Sequence, residues 1–198
     1  MKSAIKNILI TGAGRGIGKA IALKLAEKKH NLMLTARSQQ ELDNTAALCR
    51  NKGANCEVYS VDLTDEMATI ALFEVFFHKF QRLDVLINNA GMGVFKPLTK
   101  TSLNEWNKVM STNVGSAFLC CREGIKIMQH QKDGTIINIA SVVGLKGYLN
   151  QSAYSASKHA MVGLTKVIAE EYKKDGIRAH VICPGGYIFS KRSLLNIY

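Results

Sequence analysis

The chain is poor in the residues and patterns that announce several classes of protein. Only two of its 198 residues are proline, at 97 and 184. Both fall between expected elements, and no Pro-rich, repetitive or low-complexity stretch divides the sequence. No segment approaches the ~20 consecutive apolar residues of a membrane helix. The apolar run near the start, Ile8–Ile10, is far too short for a secretory h-region. Five cysteines, at 49, 56, 120, 121 and 183, form no C-x-x-C pair and have no histidine at metal-ligand spacing. They are expected to be reduced thiols filling apolar space, in a cytoplasmic protein with no metal. Carboxylates are scarce, 15 against 26 lysines and arginines, giving a net charge of +11. Yet no run reaches five like charges, and the basic residues are not interleaved with aromatics. They read as solvated helix faces that also draw in an anionic cofactor, and nucleic acid is not an expected partner.

What is present is a regular alternation. Short apolar runs at 7–11, 32–36, 56–61, 84–88, 135–140 and 177–183 read as six strands. Between them lie helix-spaced segments. One covers 16–29, with apolar residues at 17, 20, 21, 25 and 26, and Ser38 caps a second that Gly53 stops. Thr64 opens a third, the pattern at 102–130 is long with a break near Thr112, and a last helix covers 152–174. Continuous apolar strands alternating with amphipathic helices predict an α/β fold, a doubly wound parallel sheet of Rossmann type covered on both faces. At 198 residues the length suits one such domain over 1–198.

The first strand runs into the loop ILITGAGRGIGK, 8–19. No frame of its glycines fits G-x-G-x-x-G. They fit T-G-x-x-x-G-x-G, with Thr11, Gly12, Gly16 and Gly18. In a strand–turn–helix unit such a loop is an anion site, because backbone N–H groups and a helix N-terminus face the phosphates. Gly12 turns the chain off the strand, Gly16 permits close approach to a pyrophosphate, and Gly18 lets the helix pack near the strand. Further on, Tyr154 and Lys158 are four apart on an expected helix and share a face. A lysine cation beside a phenol favours the phenolate and brings it toward useful proton transfer. Ser141 closes the fifth strand, at the sheet edge where ligands meet a doubly wound fold, and its hydroxyl can hydrogen-bond a carbonyl.

Cofactor choice follows from charge. An NAD site usually has an acid at the end of the second strand. Here that point reads Thr35-Ala36-Arg37-Ser38, and Arg15 lies inside the glycine loop. Two arginines and no carboxylate suit a 2′-phosphate, so NADP(H) is expected over NAD(H).

Taken together, TGAGRGIG at 11–18, NNAG at 88–91, Ser141 and YSASK at 154–158 resemble the short-chain dehydrogenase/reductase family. The resemblance runs in order from about residue 5 to 186 and looks nearest to the 3-oxoacyl-carrier-protein reductase branch. It implies a hydride transfer between a nicotinamide cofactor and a ketone, aldehyde or alcohol. Tyr154 then serves as proton donor, with Lys158 lowering its pKa and holding the nicotinamide ribose. Ser141 orients the carbonyl. Asn113 serves in a proton relay, although by itself it reads as a helix cap. The resemblance also places Ile17, Asp62, Leu63, Asn89, Ala90 and Gly91 at the cofactor, and Pro184-Gly185 beside the nicotinamide. It implies a small-molecule substrate, one that an acyl carrier can present, and a homo-oligomer built through the long helices.

The end of the chain departs from the family. After Gly185 the sequence reads GYIFSKRSLLNIY, an atypical tail at 186–198. The family's nicotinamide-binding threonine, substrate lid and seventh strand are not recognisable there. From this the sequence predicts a weakened oligomer and low activity, with a catalytically inactive dinucleotide-binding module as the alternative.

Overall fold

A computed structural model describes residues 4–185. The expected tail at 186–198 lies outside the described residues. Six strands form one parallel sheet: β1 (Asn7–Thr11), β2 (Asn31–Ala36), β3 (Asn55–Ser60), β4 (Val85–Asn88), β5 (Gly134–Ile139) and β6 (Ile177–Ile182). Their spatial order is β3-β2-β1-β4-β5-β6. Every neighbouring pair is parallel, with Ile8 opposite Leu32 on one side and Val85 on the other. The order reverses between β1 and β4, and that gap at the carboxyl edge is where an open α/β sheet takes its ligand.

The period of two along each strand sorts side chains between two cores. Ile8 and Ile10 of β1, Leu32 and Leu34 of β2, and Ile87 of β4 face one layer. That layer is α1 (Gly16–Ala26) and α2 (Gln39–Asn51), which bury Ala22, Ala26, Leu42 and Ala46 against them. Leu9, Met33, Leu86 and Ile136 face the opposite core. There α3 (Glu66–Phe80), α5 (Ser116–Gln131) and α6 (Ser152–Glu171) contribute Phe76, Met128 and Ile168. Phe76 is completely buried, so truncating it to alanine should cost about 3–5 kcal/mol.

Several boundaries move from the sequence expectation for local reasons. α1 stops at Ala26 rather than 29, because Lys29 takes a left-handed turn at φ 58°. α3 is capped by Asp65, which accepts from Ala68 N at 3.0 Å. Thr64 is unavailable as the opener, since its N–H and hydroxyl both bond Asp62. The last helix ends at Glu171, and Gly176 at φ 76° turns the chain into β6. The expected break near Thr112 is a π-helical turn, Ser111–Gly115, joining α4 (Leu103–Met110) to α5. Ser38 caps α2 as expected, accepting from Glu41 N at 3.3 Å. All five cysteines are free thiols.

Candidate active site

Thr11 ends β1 and joins the two halves of the sheet. Its hydroxyl accepts from Asn89 N at 2.9 Å and Ala90 N at 3.0 Å, just beyond β4. The Asn89 amide returns to Thr11 O and Gly12 O, at 3.0 and 3.1 Å. Gly12 then leaves the strand at φ 64°, and a Cβ there would stand 2.8 Å from Ala90 Cα. Gly18 is needed for closeness too: any side chain would run into the Gly12 carbonyl and the Asn89 amide. Gly16 differs. Its φ of 56° requires glycine, but the space beside it is open. α1 begins here with no side-chain cap, so first-turn N–H groups have no internal partner.

This loop forms one wall of a groove of about 430 Å³. Arg37 and Asp62, at the ends of β2 and β3, form another, and Asn89, Ala90 and Gly91 a third. Arg15 and Arg37 are exposed at its rim. Thr64 N holds the Asp62 carboxyl below the usual range, so it is ionised at neutral pH. An open glycine turn, uncapped helix N–H groups, a groove of this size and two rim guanidiniums fit a dinucleotide.

A second cavity of about 250 Å³ shares Ile17, Asn89 and Gly91 with the groove and continues it to Tyr154 and Lys158. Both lie on α6 one turn apart. Lys158 is only 4% exposed, and its ammonium donates to Ile139 O at 2.8 Å. Desolvation pulls its pKa down to about 8. Its Nζ stands 5.7 Å from the centre of the Tyr154 ring. The phenol is half-buried, and burial raises its pKa above the ordinary value while Ser141 pulls it partly back. Ser141 follows β5 by two residues, and its hydroxyl oxygen accepts from Val143 N at 3.4 Å.

Asn113 is fully buried inside the π turn. It is not a helix cap. Its Oδ1 accepts from Met92 N at 2.7 Å, and its Nδ2 donates to Met92 O and Ser157 Oγ, both at 2.9 Å. These bonds fix the loop after β4 against α6, beside Lys158. Leu63 lines the groove but is mostly core. Pro184 lies beside Val142, whose N–H it accepts at 3.0 Å, and neither Pro184 nor Gly185 borders either cavity.

Several lining residues escaped the sequence reading, and two of them bear on the chemistry. Phe95 places its ring edge-on to Tyr154, centroids 5.7 Å apart, and folds back over Gly93. Nothing in its loop sequence signals that. Glu41 reaches the groove from the first turn of α2, 3.8 Å from Arg15. Its signal was the spacing Ser38-x-x-Glu41, which places a carboxylate just past the strand end. No group of acids, histidines and cysteines among the described residues could hold a metal.

The short chain dehydrogenase family model matches residues 6–190. A 3beta-hydroxysteroid dehydrogenase of Mediterraneibacter gnavus is 37% identical over 182 residues, 91% of this chain and 66% of that protein. A 3-oxoacyl-[acyl-carrier-protein] reductase of Staphylococcus aureus is 35% identical, over 91% of this chain and 74% of its own. The fold superimposes on NAD+-bound xylitol dehydrogenase with a TM-score of 0.90 and 36% identity, covering 93% of this chain and 72% of that one. ElxO with NADP bound gives 0.87 and 36%, covering 92% and 74%. The chain belongs to the short-chain dehydrogenase family. It spans just under two thirds of the steroid dehydrogenase.

Proposed function

We propose that this chain is an NADPH-dependent oxidoreductase that interconverts a small ketone or aldehyde and the corresponding alcohol. The observation that carries the reading is the continuity of the two cavities, which sets Tyr154 and Lys158 at the end of a groove rimmed by Arg15 and Arg37. Relatives named as dehydrogenases and reductases support it, and the NAD+-bound and NADP-bound neighbours fit either dinucleotide. The preference for the phosphorylated form rests on the two guanidiniums.

When bound, the dinucleotide supplies the hydride. The chain's own residues handle the carbonyl oxygen. The Ser141 hydroxyl orients it, and the Tyr154 hydroxyl delivers a proton to it as it becomes an alkoxide. Lys158, already sharing the cavity with that phenol, adds a positive charge that favours the phenolate left behind. Asn113 holds Met92 and Ser157 in place around them. The substrate is a small molecule, free or presented on an acyl carrier, and the site works in a cytoplasmic homo-oligomer.

Fluorescence titration with NADPH, followed by ketone turnover by the wild type and Tyr154→Phe, tests this. NADPH should bind both proteins alike, and the variant should lose about 10²–10⁴-fold in rate. NADH supporting equal or better turnover would reject the cofactor preference. Binding without turnover by the wild type would reject the enzyme and leave a dinucleotide-binding module.

A further inference from the structure

The second strand ends without a carboxylate, but besides Asp62 the groove holds a second one on the Arg15 side. Glu41 lines it together with Arg15, Arg37 and Ser38. Two features hold the carboxylate there. The Glu41 backbone sits in the first turn of α2, with its N–H on Ser38 Oγ at 3.3 Å. Its side chain lies flat on the glycine loop, so close that a Cβ on Gly14 would be 2.8 Å from Glu41 Cβ. A glycine at 14 is therefore what lets the carboxylate enter.

The chain contains an internal comparison. Ser102-x-x-Glu105 at the start of α4 has the same spacing and closes a full capping box, with Glu105 accepting from Ser102 N at 2.9 Å. At Ser38-x-x-Glu41 only the serine half forms. The Glu41 carboxylate goes instead to Arg15, at 3.8 Å, too long for a hydrogen bond. The capping role is given up, and a negative charge stands beside Arg15, one of the two guanidiniums on which the 2′-phosphate reading rests, in the groove that Arg37 also lines.

We infer that Glu41 is a specificity-determining residue that opposes a 2′-phosphate and keeps NAD(H) as a second cofactor. A phosphate on the ribose brings about two negative charges toward this carboxylate and competes with it for Arg15. An unphosphorylated ribose presents hydroxyl donors, which a carboxylate accepts. The same side chain thus weakens one dinucleotide and supports the other. This rests on the groove being the dinucleotide site, as proposed above.

The test is direct binding, read by protein fluorescence, of NADP+ and NAD+ to the wild type, Glu41→Gln and Glu41→Asp. Glu41→Gln keeps the size and removes the charge. It should tighten NADP+ by about fivefold, the upper scale of an exposed charge pair, and weaken NAD+. Glu41→Asp, which keeps the charge, should stay near the wild-type ratio. An NADP+ to NAD+ affinity ratio that does not rise in Glu41→Gln overturns the inference, as does an equal rise in Glu41→Asp. A wild type that prefers NAD+ would overturn the NADPH reading alone, since Glu41→Gln must still raise the ratio. Failure of both dinucleotides to bind would overturn both.

Discussion

At the residue scale, Lys158 carries a desolvation cost. Its ammonium is buried with a backbone carbonyl, Ile139 O, as its partner, and desolvation lowers its pKa to about 8 from the ordinary 10.5. The sign of the consequence follows from proton counting. Below pH 8 the lysine is charged both folded and unfolded, and its burial is a full cost. Between about 8 and 10.5 the folded chain has released the proton while the unfolded chain still holds it, so stability rises with pH. Relative to Lys158→Met, the wild type should gain up to roughly 3 kcal/mol between pH 7 and 10.5. Urea unfolding of both proteins across that range measures it, and parallel profiles would mean the ammonium is not desolvated. The Tyr154–Lys158 pair was legible because helical periodicity fixes which residues share a face. The burial that raises the Tyr154 pKa was not, because it is set by chain segments far from residue 154. Glu41 was hidden for a related reason. The spacing predicted a helix start, and only contact with Gly14 and Arg15 turns that carboxylate into the groove.

At the element scale, the glycine loop and α6 make a contrast. Gly18 lies in α1 against the Gly12 carbonyl and the Asn89 amide, both backbone-held. Gly18→Ala should push α1 off β1, cost about 1–3 kcal/mol as overpacking does, and abolish dinucleotide binding. Gly163 sits exposed in α6 with open space where a side chain would go. Gly163→Ala should stabilise by about 0.4–1 kcal/mol, by restricting the unfolded chain, and leave binding unchanged. Denaturant midpoints and an NADP+ titration of the two variants check this, and similar losses in both would refute the packing argument for Gly18. The spacing T-G-x-x-x-G-x-G assigned Gly18 to helix–strand packing, which its contacts show, and Gly16 to close approach of a pyrophosphate, beside which the structure leaves open space. Strand positions were legible to within about one residue, since apolar runs bounded by turn residues carry that information. The π turn at Ser111–Gly115 was visible only as a break, because nothing local distinguishes an extra residue in a helix from a helix end.

At the scale of the whole molecule, the alternation of strands and helices announced a parallel sheet, but not its order. That order depends on where the chain after β3 crosses over to pair β4 with β1, a matter of long-range packing. The crossing divides the sheet into a β1–β3 half and a β4–β6 half, held at the carboxyl edge by Thr11 and Asn89. The groove takes walls from both, with Gly12 and Arg37 from one and Asn89 and Thr112 from the other. A ligand seated there binds the folded chain and not the unfolded one. At a hundred times its dissociation constant it should add about 2.7 kcal/mol. For a chain of this length that raises Tm by roughly 5–10 °C. NADP+ should produce that shift in a thermal melt, and NAD+ at the same concentration a smaller one. Arg37→Asp replaces a rim cation with an acid, so it should shrink the NADP+ shift and leave that of NAD+. The NADP+ shift should also fall with added salt, because exposed guanidiniums are screened within about 10 Å at 0.1 M. Equal shifts from both dinucleotides in the wild type would remove the charge argument for NADP(H). No shift from either would mean that the two halves of the sheet meet over something other than a dinucleotide.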